Sequence, residues 1–154
     1  MELTFNFDGG NERGEAVWSF VSYDSQNQAG PRGAGRVPDN LPQTNNVAEW
    51  SALLHALLAA KEKAGNHFKS FLFRGDSELV IKQMLGIYAC KNAFLEPIFK
   101  RSRGVHDYLT QNLKMTCEYE HVRREFNKEA DELGRIFRDK YPKQVSFPLT
   151  DETK

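Results

Sequence analysis

At Asn45 the spacing of apolar residues changes from every second position to a helical period, and this change limits the fold more than any other feature of the chain. Before it the pattern alternates. In ELTFNFDGG, Leu3, Phe5 and Phe7 share one face and Thr4 and Asn6 the other, as in a half-buried strand. Asp8-Gly9-Gly10 reads as the turn that ends it. EAVWSFVSYD, rich in β-branched and aromatic residues, is a second strand. A short third strand lies around Gly30 to Val37, within a stretch heavy in Gly, Pro, Asn and Gln, and a loop follows. Three strands joined by turns form an antiparallel meander.

From Asn45, Val47, Trp50, Leu53, Leu54, Leu57 and Leu58 recur at helical spacing. Thr44 or Asn45 caps this helix, and Gly65 ends it. HFKSFLFRGDS is a strand with Phe68, Phe71 and Phe73 inward, ending at Gly75-Asp76. Ser77 opens a short helix that Gly86 stops. A further helix carries Leu95, Ile98, Phe99, Val105 and Leu109, with Pro97 tolerated in its first turn. LKMTCEYEHV alternates as a fifth strand, with Met115, Cys117, Tyr119 and His121 on one face. NKEADELGRIFRDKY is the last helix, capped by Asn127, with Ala130, Leu133, Ile136, Phe137 and Tyr141 inward. The order βββαβααβα makes an α/β fold: a five-stranded mixed sheet, three antiparallel strands then two parallel, flanked by helices. Its 154 residues fit one domain, residues 1–141, with a loose tail over 142–154.

A formal net charge of zero gives no overall basic field, so any nucleic-acid contact must be local or bridged by metal. Cys90 and Cys117 lack metal-ligand spacing and read as reduced, buried thiols. No signal segment and no membrane-length apolar run is visible, so the chain reads as a cytoplasmic monomer.

Four acids stand at element ends. Asp8 closes the first strand, Glu49 lies in the first turn of the first helix, Asp76 closes the fourth strand, and Asp131 follows Asn127 in the last helix. Taken singly, each has an ordinary explanation in helix dipoles or turns. Together they occupy the places where strand carboxyl ends and helix N-termini converge on ligands. Converging carboxylates repel unless neutralised, and hard divalent cations choose oxygen ligands. Two magnesium ions ~3.5–4 Å apart are the usual arrangement for phosphodiester hydrolysis. The residues therefore point to a metal-dependent phosphoryl-transfer site.

FNFDGG, TNNVAEWSALLHAL, FRGDSELV and NKEADELGR, in this order and spacing, resemble type 1 ribonuclease H over about Leu3 to Arg138. The resemblance implies the ribonuclease H-like fold. It implies hydrolysis of the RNA strand of RNA/DNA hybrids, leaving 3′-hydroxyl and 5′-phosphate ends, with two Mg2+ ions and Mn2+ as a substitute. By position, Asp8 would bridge both metals, Glu49 and Asp76 would hold the one on the leaving-group side, and Asp131 would complete the one on the water side. Thr44 and Asn92 would grip a DNA phosphate. Asn45 and Asn46 would meet sugar and base edges in the minor groove, and the backbone near Gly9 and Gly10 would approach RNA 2′-hydroxyls.

Two features depart from the family. Many members carry a basic, tryptophan-containing protrusion where this chain has only GIYACKNAFLEP, with Lys91 its one basic residue. Substrate affinity would then fall on Lys100, Arg101 and Arg103, which also read as a solvated helix face, or on the tail. Many members also carry a glycine loop with a histidine before the last helix. Here EHVRREFNKEAD leaves no room for it, and Arg123 or Arg124 could serve as a cationic substitute, contact phosphate, or face solvent. Two other readings stand beside a hybrid-specific nuclease: a non-catalytic binding module of the same fold, and another nuclease of the superfold.

Overall fold

The sheet is built outward from β1 (Glu2–Glu12), which is paired on both sides. β2 (Glu15–Asp24) and β3 (Gly33–Arg36) extend it in antiparallel fashion. β4 (Ser70–Gly75) and β5 (Thr116–His121) extend it on the other side, parallel to β1, giving the order β3-β2-β1-β4-β5. The helices are α1 (Asn45–Lys63), α2 (Glu78–Met84), α3 (Glu96–Asp107) and α4 (Lys128–Lys140). This computed structural model describes residues 1–65 and 67–142, so the expected tail lies outside the described residues from 143 onward. The mixed five-stranded sheet and its element order match the expectation from periodicity.

One face of the sheet carries the aromatic core. Phe5, Phe7, Phe71 and Phe73 are fully buried against Trp50, Leu53 and Leu57 of α1, and the Phe5 and Phe73 rings stack at 5.3 Å. Trp50 Nε1 donates to Gln83 Oε1 at 2.9 Å, which satisfies a buried indole and ties α1 to α2. The opposite face belongs to α4. Ser19 alternates with Phe20 along β2, and its hydroxyl donates to the Ala130 carbonyl at 2.6 Å.

Three expectations change. β1 does not turn at Asp8-Gly9-Gly10 but runs on to Glu12, paired with Glu15. The hairpin loop is Arg13-Gly14, with φ of 56° and 78°, the left-handed pair that a two-residue type I′ loop requires. Second, Thr44 is the cap of α1, its Oγ1 accepting from the Val47 N–H at 3.2 Å, which places Glu49 beyond the first turn. Third, Ile136 and Tyr141 are exposed at 51% and 54%. The face of α4 against the sheet is a line of small residues, Ala130 and Gly134, both buried. Ile136 lies two positions off that line and turns away, while Tyr141 has already left the helix. The two cysteines are free and only half-buried.

Gly9 has a role that its sequence context conceals. A Cβ there would lie 2.5 Å from the Ala48 carbonyl oxygen and closer still to the Ala48 carbonyl carbon and the Glu49 nitrogen. The backbone of α1 crosses β1 directly over this residue, which only glycine permits. Gly10 has open space around its Cβ position. Gly9→Ala is therefore expected to lose about 1–3 kcal/mol or more by overpacking, and Gly10→Ala to stay within about 0.5 kcal/mol of wild type. Urea denaturation of the two variants checks this, and equal losses would contradict it.

Candidate active site

Each of the four acids arrives on a different element. Asp8 is carried by β1, Glu49 by α1, Asp76 by the residue after β4, and Asp131 by the first turn of α4. Oxygen atoms of Asp8, Glu49 and Asp76 lie within 4.8 Å of one another. Asp131 stands beside this trio, close enough for its charge to act on Asp8. Arg135, one turn further along α4, holds Asp131 Oδ2 at 2.8 Å.

The electrostatics follow from burial and crowding. The Asp8 carboxyl is pushed up to about 8, first by burial, then by the charges of Asp76 and Asp131. Glu49 is 8% exposed. Burial, then the charges of Asp8 and Asp76, hold it well above the usual carboxylate range. The Gly9 N–H pulls both groups the other way, so the glycine that admits α1 also supplies a donor to the acids. Glu49 Oε1 is buried without a hydrogen-bond partner. Such an atom calls for a missing ligand. Three carboxylates on three elements, with an orphaned oxygen among them, fit a hard divalent cation with oxygen ligands.

A cleft of ≈ 490 Å³ opens over the site, lined by Asp8, Glu49, Asp131, Asn45, Arg124 and Arg138 among others. Gly9 and Gly10 line it too. Of the two candidate cations, only Arg124 faces the acids, its Nε 3.9 Å from Asp76 Oδ2. Arg123 points to Glu125 at 3.9 Å. Asn45 Oδ1 accepts from the Asn11 N–H at 2.8 Å. Thr44, Asn46 and Asn92 do not line the cleft. Asn92 Oδ1 instead accepts from the N–H groups of Phe94 and Leu95, at 2.8 and 3.1 Å, ahead of α3.

Two residues went unnoticed in the sequence, and the role of a third was misread. Arg135 was readable, since it follows Asp131 by four positions on a helix. Arg138, 15% exposed at its side chain, donates to the Gly10 carbonyl at 3.2 Å and faces Glu12. Asn127 was read as a side-chain cap, but it makes no cap hydrogen bond. Its Nδ2 donates to the Phe7 carbonyl at 2.8 Å instead.

Comparison with known proteins agrees with this geometry. A stretch of 97 residues, 60% of this chain, is 33% identical to the uncharacterized protein YpeP of Bacillus subtilis (strain 168), and it spans 39% of that protein's length. The fold superposes on RNase H1 of the halophilic archaeon Halobacterium salinarum NRC-1 with a TM-score of 0.75 and 28% identity, covering 91% of this chain and 99% of the other. It also superposes on LC11-RNase H1, isolated from compost and solved with an RNA/DNA hybrid, with a TM-score of 0.74 and 26% identity over 90% and 97% of the two chains. Residues 6–135 match the family described as reverse transcriptase-like. The chain thus belongs to this ribonuclease H-like family, as its four motifs indicated.

Proposed function

We propose that this chain is an endoribonuclease that hydrolyses the RNA strand of RNA/DNA hybrids and leaves 3′-hydroxyl and 5′-phosphate ends. The observation that carries this reading is the trio Asp8, Glu49 and Asp76, with oxygens within 4.8 Å of one another on three separate elements. Family membership and the hybrid-bound LC11-RNase H1 support the substrate class. A non-catalytic module would not need these acids together, since each loses hydration and repels its neighbours.

In this reading Asp8, Glu49 and Asp76 hold a cation on the leaving-group side, and Asp8 with Asp131 holds one on the water side. Magnesium ions bound there, or manganese in their place, would activate water and stabilise the leaving oxygen. The remaining residues position the duplex. Gly9 and Gly10 present backbone without side chains to RNA 2′-hydroxyls. The side-chain oxygens of Thr44, Asn45 and Asn92 are already occupied as acceptors of backbone N–H groups. Their outward-facing groups are therefore donors: a hydroxyl and two amides. Donors suit phosphate and sugar oxygens, and Asn46, exposed next to Asn45 at the start of α1, would add a contact in the minor groove. A hybrid presents 2′-hydroxyls on one strand only, so shape and sugar are read rather than sequence. Arg124 meets the scissile phosphate from the side where relatives place a histidine loop.

Among the described residues no helix is long and apolar enough to cross a membrane.

Incubated with a labelled hybrid, duplex RNA, duplex DNA and a four-way junction, the protein is expected to cut only the hybrid, and Asp8→Asn to abolish cutting while keeping the fold. Cleavage of the junction or duplex DNA instead would sink the reading. Arg124→Ala is expected to lower turnover about tenfold, the scale of a hydrogen bond to a charged group, with Arg123→Ala near wild type. Parity of the two variants would remove Arg124 from the site.

The charge state of the acids gives a separate outcome. Without divalent cations the folded chain keeps a proton on Asp8 up to about pH 8, while the unfolded chain releases it near 3.8. The folded state binds more protons across that window, so metal-free stability falls as pH rises through it. Asp8→Asn removes this loss. Thermal melts in chelator should show the variant above wild type at pH 8 and the two converging in acid. A variant that melts below wild type at pH 8 would contradict the charge assignment.

A further inference from the structure

The geometry points to Asn127 as the residue that sets the distance between Asp8 and Asp131, a positioning residue acting through two backbone units. The inference rests on the proposed function only in naming the step it serves. The contacts themselves are independent of it.

Asn127 is 2% exposed, on a chain segment otherwise open to solvent. It occupies the cap position of α4, where an asparagine oxygen ordinarily accepts an N–H from the first helical turn. Here it makes no such bond. Its Nδ2 reaches across to the Phe7 carbonyl at 2.8 Å. That carbonyl belongs to the peptide unit joining Phe7 to Asp8, so fixing its plane fixes the direction in which the Asp8 side chain leaves β1. The bond also sits where support from the sheet runs out. The last residue of β4 in register with β1 is Gly75, opposite Phe7. Beyond it Asp8 has a strand neighbour only in β2.

At its other end Asn127 holds the second acid. Its carbonyl accepts from the Asp131 N–H at 3.2 Å, an i to i+4 bond at the start of α4. One residue is thus bonded to the peptide unit before Asp8 through its side chain and to the Asp131 amide through its backbone. The two side chains are close enough for the charge of Asp131 to raise the Asp8 carboxyl. Two carboxylates that repel each other are held together by a neutral group that adds no charge to the site. The donor is what matters: an aspartate of the same shape would set an acceptor against the carbonyl.

A buried hydrogen bond away from the acids supplies the control. Ser22 is fully buried on β2, where it pairs with Phe5, and its Oγ donates to the Pro31 carbonyl at 2.5 Å. Ser22→Ala removes a comparable hydrogen bond and loosens neither the Phe7–Asp8 nor the Ala130–Asp131 unit.

The experiment compares Asn127→Ala, Asn127→Asp and Ser22→Ala in melting temperature, in Mn2+ affinity by calorimetry, and in kcat and KM on a hybrid. Asn127→Ala is expected to lower kcat about a hundredfold, the scale of a misplacement of about 1 Å. Its KM should stay within about twofold, and its Mn2+ affinity should drop several-fold, because hybrid contacts lie on β1, α1 and the loop before α3 while the loss is one of geometry between acids. Ser22→Ala should melt lower by a similar amount and keep kcat and Mn2+ affinity near wild type. If the alanine variant does not fold, Asn127→Asp, which keeps the volume and lacks the donor, takes its place. Equal kcat and Mn2+ affinity in the Asn127 and Ser22 variants would overturn the inference. So would failure of both Asn127 variants to fold while Ser22→Ala folds, since the residue would then serve folding alone. If wild type binds Mn2+ but cuts no hybrid, the proposed function falls while the Mn2+ comparison still decides the role of Asn127. A wild type that does neither overturns both.

Discussion

The backbone of α1 passes over β1 at Gly9 with no side chain between them, and the rest of the site depends on that crossing. It brings Glu49, carried by a helix, to the end of a strand that carries Asp8. It leaves the Gly9 N–H facing both carboxyl groups. A larger residue would push α1 outward and separate the acids before any change reached their side chains. Packing and chemistry are therefore set by the same atom-scale contact: the aromatic core under α1 presses the helix down, and the glycine lets it arrive.

The acids are held against their own repulsion by elements with other reasons to be where they are. β1 and β4 are fixed by sheet pairing and by Phe5, Phe7 and Phe73. α4 is fixed by Ala130 and Gly134 lying flat on β2. Repulsion in the metal-free state is relieved in two ways. Burial and crowding favour the protonated forms of Asp8 and Glu49, and the exposed Arg124 and Arg135 approach the outer acids Asp76 and Asp131. Among the described residues neither Asp8 nor Glu49 makes an ion pair with an arginine or lysine, and Glu49 Oε1 has no hydrogen-bond partner. That division, arginines outside and an electron-rich pocket inside, is the arrangement into which a hard cation fits.

Much of this was legible in the sequence, because periodicity reports burial and burial fixes topology. The alternation before Asn45 and the helical stripe after it led to the right sheet, and the acids at element ends included Asp8, Glu49 and Asp76, which stand together in the fold. What was misread had two local meanings. Gly9-Gly10 looks like a turn because glycine serves turns most often, and only the tertiary crossing of α1 shows its other use. Asn127 looks like a helix cap because that is asparagine's commonest place, and nothing nearby reveals a carbonyl reached from 120 positions away. Ile136 was assigned to the core by its apolarity, while the contact line of α4 is made of small residues that no hydrophobic pattern marks. Arg124 needed the shape of the cleft before its direction could be assigned, whereas Arg135 could be placed from its four-residue spacing to Asp131.

The span of these contacts also bears on how the molecule comes into being. The bond from Asn127 to Phe7 closes a loop of 120 residues, and that from Ser19 to Ala130 one of 111. β4 and β5 join the sheet as parallel strands, which need long crossovers before any pairing is gained. Contacts so distant in the chain form late, after the local hairpin of β1 and β2 and the helices. During synthesis the meander and α1 can collapse as soon as they emerge, whereas α4 follows every other described element. A nascent chain therefore carries Asp8, Glu49 and Asp76 well before it has the helix that brings Asp131 beside them, and the four come together only after α4 has left the ribosome.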